Sequence, residues 1–229
     1  MKISFCVPCM DRLNDLERAM PHMIAAANAS PPVEIALLDY NTHDALFAFA
    51  RRQHGLAAGN ELSYSRYAGR EHYHLAHAWN LAVLASSGEY VAVMGADAMP
   101  SPQYVVEARK LIADGCIWIR GPHYKGIVIM QRSEFIDAGG YDERFEFYGG
   151  EDKELEARLR RRGGKFGLLP DGLVRTLRTG EADKTANFRL KLSKSEMMAL
   201  GKAIRDENNA RGLLVANEGQ AWGQWSRRP

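Results

Sequence analysis

Cysteine is scarce. The 229 residues hold three, Cys6, Cys9 and Cys116, too few for a disulfide framework. Long apolar runs are missing as well. No stretch approaches the roughly 20 residues of a membrane span, and the opening MKISFCVPCMDR lacks the apolar core of a signal peptide. The expectation is a chain without an integral membrane segment, working in the cytoplasm. Neither sign of charge dominates, with 30 Lys+Arg against 28 Asp+Glu, so no overall field draws in nucleic acid. The second half does carry an excess of basic residues, including Arg158 to Arg162 and Arg227-Arg228. This keeps a nucleic-acid partner open, although no basic surface is interleaved with aromatics. The arginine run itself reads as a solvated helix face. Histidine stops at His123, and no internal repeat, low-complexity tract or linker divides the chain.

What is present is an ordinary globular composition, 46% hydrophobic and 25% charged, in a chain long enough for one sizeable core. Short β-rich runs (Lys2 to Val7, Val33 to Leu38, Glu61 to Tyr67, Tyr90 to Met94) alternate with helical ones (Leu13 to Ala27, Asp44 to His54, His74 to Ser86). Such alternation predicts a single-domain α/β fold, a mainly parallel sheet covered by helices on both faces. Ligands of open sheets bind beyond the carboxyl ends of the strands. Those ends carry Pro8 to Arg12, Asp39 to Asn41 and Gly95-Ala96-Asp97. The second half is less regular and ends in a helix from Ser193 to Arg211, where Ser193 and Glu196 have capping-box spacing, and a tail holding Trp222 and Trp225.

Cys6-Val7-Pro8-Cys9 has redox-motif spacing before a helix, where a thiol pKa falls. Zinc is disfavoured, since no second Cys/His pair follows at ligand spacing. His72, His74 and His77 cluster without a carboxylate or cysteine partner, which favours a structural or nucleotide-contacting role over a metal site.

The stretch FEFYGGEDKELEARLRRRGG, Phe145 to Gly164, starts a helix after Gly149-Gly150 and ends it at Gly163-Gly164. Acids in a first turn complement the helix dipole, which suits Glu154. Asp152 instead shares the face of Leu155 and Leu159, and glycines before it let a ligand approach. From spacing alone, Asp152 stands open between dipole partner and functional acid. Asp97, after the buried strand in VAVMGADAMP, is open between a turn residue and a carboxylate for a hard cation.

Taken in order, ISFCVPCMDR, EIALLDYNTHD, AWNLAVLASSGEYVAVMGADAMP and GGYDERFEFYGGEDKELEARLRRRGGKFG resemble the nucleotide-sugar glycosyltransferases of the GT-A (Rossmann-like) fold. The likeness is to family 2, with a galactosyltransferase-like C-terminal segment, and runs roughly from Ile3 to Leu169. It implies a nucleotide-sugar-binding half at about 1–98, an acceptor and catalytic half at about 99–192, and a C-terminal helix and tail at about 193–229. It further implies that Asp39 bonds the donor's base, that Pro8 and Arg12 line the nucleotide pocket and that Asn80 lies near the nucleotide. Asp97 matches the second Asp of the Asp-X-Asp motif, the ligand of Mn²⁺ or Mg²⁺. Asp152 matches the catalytic base, Glu151 and Gly150 its acceptor-contacting neighbours, and Tyr148 an aromatic that stacks on the acceptor sugar. The implied activity is an inverting hexosyl transfer from a nucleoside diphosphate sugar, a uridine one, to a glycan or other hydroxyl acceptor. Two departures stand out. Gly95 replaces the first Asp, and no metal-binding His follows the catalytic helix, where the chain reads VRTLRTGEADKT. Glu181 or Asp183 as an oxygen ligand, or Arg175, Arg178 and Lys184 as counter-charges, are the substitutes. The departures also motivate an alternative, a nucleotide-sugar or glycan-binding module of the same fold without turnover.

Overall fold

The computed structural model describes residues 1–41, 44–123, 126–177 and 186–224. Through them run β1 (Ile3–Cys9), α1 (Leu13–Ala29), β2 (Val33–Tyr40), α2 (Ala45–Arg51), β3 (Glu61–Tyr67), α3 (Leu75–Ala85), β4 (Tyr90–Val93), β5 (Ala98–Pro100), α4 (Gln103–Ala113), β6 (Trp118–Arg120), β7 (Val128–Gln131), α5 (Arg132–Asp137), α6 (Glu151–Arg161), β8 (Phe166–Leu168), β9 (Val174–Thr176) and α7 (Lys194–Ala210). Seven strands make one sheet in the order β3-β2-β1-β4-β7-β6-β8. All are parallel except β7, which opposes β4 and β6.

The two sheet faces bury separate apolar clusters. Ile3, Phe5, Val7 and Cys9 of β1 meet Leu16, Met20 and Met23 of α1 and Val105 and Ala108 of α4. On the other face Cys6, Val91 and Val93 meet Leu81 and Val83 of α3, Leu155 and Leu159 of α6, and Met197 of α7. Burying one such leucine contributes about 1.5–3 kcal/mol, so these contacts, more than helix propensity, hold α6 in place. Cys6 and Cys9 therefore lie on opposite faces of a strand, both buried and neither in a disulfide. Burial pushes each thiol up to about 12. This corrects the redox-motif expectation: an odd spacing within a strand points the two side chains apart.

Pro8 sits in the middle of this sheet because its neighbour stops short. The β1–β4 pairing ends at Cys6↔Val93, so the missing N–H of Pro8 falls past the end of β4 and interrupts no ladder. There the chain opens into the site. β5, unanticipated by the sequence patterning, pairs antiparallel with β9 as Ala98↔Thr176 to Pro100↔Val174, and Leu177 N donates to Asp97 O at 3.0 Å. The tail packs on the body through Trp222, in edge-to-face contact with Phe135 at 6.3 Å. Trp225 and Arg227-Arg228 lie outside the described residues.

Candidate active site

The carboxyl ends of β1 and β4, the start of α6 and one face of α7 enclose a cavity of about 580 Å³. Pro8, Arg12, Asp97, Tyr148, Gly150, Glu151 and Asp152 all line it. Residues 85 and 140 positions apart thus share one wall system, as expected where parallel strands end together.

Gly149 and Gly150 set the entry into α6. Their φ values are 108° and 100°, in the left-handed region that side chains rarely adopt. A Cβ on Gly149 would also lie 2.2 Å from Met198 Sδ. The helix then begins with Glu151 and Asp152 at the cavity. Glu151 is tethered by Gly149 N, which donates to its Oε2 at 3.1 Å. The backbone N–H groups of Lys153 and of Asp152 itself favour the ionised form of Asp152. The helix dipole favours ionised acids here by up to about 2 kcal/mol, about 1.5 pKa units. Burial outweighs it, and both carboxyls titrate above their ordinary range, Glu151 through burial first and the charge of Asp152 second. Two such neighbours share protons as a pair.

Across the cavity Arg12 reaches two acids. Its Nε and Nη2 donate to Asp15 Oδ2 at 2.9 and 2.7 Å, and Nη2 stands 3.4 Å from Asp97 Oδ2. Among the described residues no cluster of three or more His, Cys, Asp or Glu forms a cation site. Asp97 offers one carboxylate, which fits Mg²⁺ or Mn²⁺ where substrate phosphates supply further oxygens. Thr176 of β9 lines the cavity, and Arg175, the next residue back, is exposed on the other side of the strand. Arg178, Glu181, Asp183 and Lys184 lie outside the described residues.

Asp39 and Asn80 do not line this cavity. Asp39 is buried at the end of β2, where Tyr64 Oη donates to it at 2.6 Å and Arg66 Nε stands 3.6 Å away. Asn80 is a clamp: its Nδ2 donates to Tyr141 O at 2.9 Å and to Glu143 Oε1 at 3.0 Å, while its Oδ1 accepts from Tyr141 N at 2.8 Å. It thereby fixes Tyr141, which does line the cavity. His74 and His77 are structural. His74 Nδ1 caps α3 by accepting from His77 N at 3.2 Å, and His77 Nδ1 lies 2.9 Å from Tyr40 Oη. Burial pulls their pKa values down to about 4 and about 3, so both are neutral.

The solvated-face reading of the arginine run needs correcting at one position. Arg158 is wholly buried, bonded by Nε to Glu154 Oε1 at 2.8 Å and by Nη2 to Gly140 O at 2.7 Å, with Ala138 O as a further acceptor. Glu154 is buried with it and also accepts from Asn208 Nδ2 of α7 at 2.9 Å. Arg160, Arg161 and Arg162 do face solvent. Other cavity residues had no signal in the sequence: Tyr73 and Phe188, in ring contact at 5.8 Å, and Met198 of α7.

Residues 119–181 match a family model described as the N-terminal domain of galactosyltransferase. No curated protein matches the sequence. Among solved structures, Staphylococcus aureus TarS in complex with UDP-GlcNAc is 13% identical, with 96% of this chain and 74% of that one aligned at a TM-score of 0.65. The mannosyltransferase PcManGT from Pyrobaculum calidifontis, in complex with GDP-Man and Mn²⁺, is 16% identical, with 92% and 71% aligned at 0.64. The catalytic domain of Drosophila beta1,4galactosyltransferase 7, in complex with xylobiose, is 20% identical, with 86% and 78% aligned at 0.54. At these identities the likeness is one of fold. The chain is thus a single α/β domain with the GT-A glycosyltransferase fold, and its residues 119–181, which include Glu151 and Asp152, match the galactosyltransferase model.

Proposed function

We propose that the protein is an inverting glycosyltransferase that moves a sugar from a nucleoside diphosphate sugar, a UDP-sugar, to a hydroxyl acceptor. The observation that carries this reading is the pairing of two raised-pKa carboxyls, Glu151 and Asp152, with Arg12 and Asp97 around one cavity. An acceptor hydroxyl is a weak nucleophile and needs a base within reach as it attacks. Asp152 takes that proton, and burial makes it a stronger base than a solvated aspartate. Glu151, Gly150 and Tyr148 receive the acceptor, and Pro8 and Arg12 face the donor. Asp97, together with the donor's phosphates, would hold Mn²⁺ or Mg²⁺, which when bound offsets charge on the departing nucleoside diphosphate. Residues 1–98 then serve the donor and 99–192 the acceptor.

The test is transfer or donor hydrolysis across a panel of UDP- and GDP-sugars. Asp152→Asn should lower the rate about 10²- to 10⁴-fold with nucleotide binding unchanged. Nucleotide binding without turnover of any donor would instead favour the binding-module reading, which the engagement of Asp97 by Arg12 supports.

A further inference from the structure

Gly95 and the Arg12–Asp97 ion pair form one device. A Cβ at position 95 would lie 2.6 Å from Asp97 Oδ1, so any side chain there displaces the carboxylate from its present position. With glycine, Asp97 folds back and comes within 3.4 Å of Arg12 Nη2. Asp15, from the first turn of α1, holds the same guanidinium by Nε and Nη2 at 2.9 and 2.7 Å. Arginine stays charged at any working pH. The carboxylate that a cation would use is thus already neutralised by a fixed, tethered positive charge.

We propose that Arg12 guards Asp97 against free divalent cations, so that a cation binds only together with the nucleoside diphosphate. The inference rests on the donor reading above. The chemistry is competition followed by exchange. A divalent ion alone would have to displace Arg12 and bind through a single carboxylate. A diphosphate supplies further oxygens to the ion and, at the same time, a new acceptor for the guanidinium, whose Nη1 donors are engaged by none of the described residues. The ion and the nucleotide therefore bind with positive coupling, and coupling is reciprocal. The replaced first Asp ceases to be a mere loss: Gly95 is what lets the guard close.

Mn²⁺ binding to the full chain, read from the electron paramagnetic resonance signal of free Mn²⁺, tests this with UDP and GDP as probes and nucleotide–Mn²⁺ mixtures as blanks. Wild type should bind Mn²⁺ at least tenfold more tightly with nucleotide than without. Arg12→Gln, and independently Gly95→Asp, should strengthen Mn²⁺ binding to the nucleotide-free protein at least tenfold. Arg12→Lys should change it less, and Asp97→Asn should remove binding in both states. Equal Mn²⁺ affinity with and without nucleotide, or unchanged nucleotide-free affinity in both Arg12→Gln and Gly95→Asp, overturns the guard. Failure of UDP and GDP to bind at all, seen by thermal shift, overturns the donor reading instead.

Discussion

At residue scale the proposed chemistry turns on how Glu151 and Asp152 divide protons. Glu151 is raised from its ordinary 4.5 to about 8 by burial and then by its neighbour's charge. A carboxyl raised on folding keeps a proton that the unfolded chain has released, so the folded state loses stability as pH climbs from about 4.5 toward about 8. Glu151→Gln removes that slope. Urea denaturation should show the variant gaining stability relative to wild type between about pH 5 and about pH 8, the reverse of what loss of a stabilising ion pair would give. Because Glu151 still holds its proton while Asp152 ionises, the same change removes no charge beside Asp152 in that range, and the acid limb of the rate profile should stay in place. Gly-Gly before an acid was legible without coordinates, since φ near 100° at Gly149 and Gly150 admits little else. The pairing of Arg12 with Asp97, 85 residues along, was not, because ion pairing depends on where two strand ends come together.

At element scale, α6 and α7 act as one unit. Asn208 of α7 donates to Asp142 Oδ2 and to Glu154 Oε1, each at 2.9 Å, bridging both helices to the turn that precedes the site. Arg158→Met leaves Glu154 buried with its main counter-charge gone. A loss of about 3–5 kcal/mol is expected, or roughly 6–20 °C in melting temperature for a chain of this size. Replacing Glu154 and Arg158 together by apolar residues should cost far less, because no charge is stranded. The helices also meet glycine to glycine: a Cβ on Gly201 would lie 2.0 Å from Gly149 O. Gly201→Ala should therefore push α7 off the turn that carries Glu151 and Asp152, costing about 1–3 kcal/mol by thermal denaturation and, on the proposed function, reducing transfer while Asp152 remains. The stripe of Leu155 and Leu159 was readable from helical spacing. Arg158 sits beside that stripe and reads as solvent-facing until the carbonyls of Ala138 and Gly140 arrive to accept its donors.

At the scale of the whole molecule, the proposed donor site is built from chain ends that only the sheet brings together, so ligand binding should stabilise the entire domain. UDP at about 100 times its dissociation constant should add about 2.7 kcal/mol, or roughly 5–10 °C. GDP serves as comparator, and a larger rise with GDP would reassign the base. No helix among the described residues is long and apolar enough to cross a membrane.

The order of strands and helices, the break before α6 and the acid at its start follow from local rules: periodicity, helix-forming composition and the backbone freedom of glycine. Each acts over a few neighbouring residues, so the sequence alone determines them. Which charges are buried and which face the cavity was settled only in three dimensions. Asn80 as a clamp on Tyr141, Arg158 in the core, and Arg12 set against Asp97 all arise from groups distant in the chain. A polar side chain is buried only where tertiary packing supplies its partners, and no window of sequence contains them.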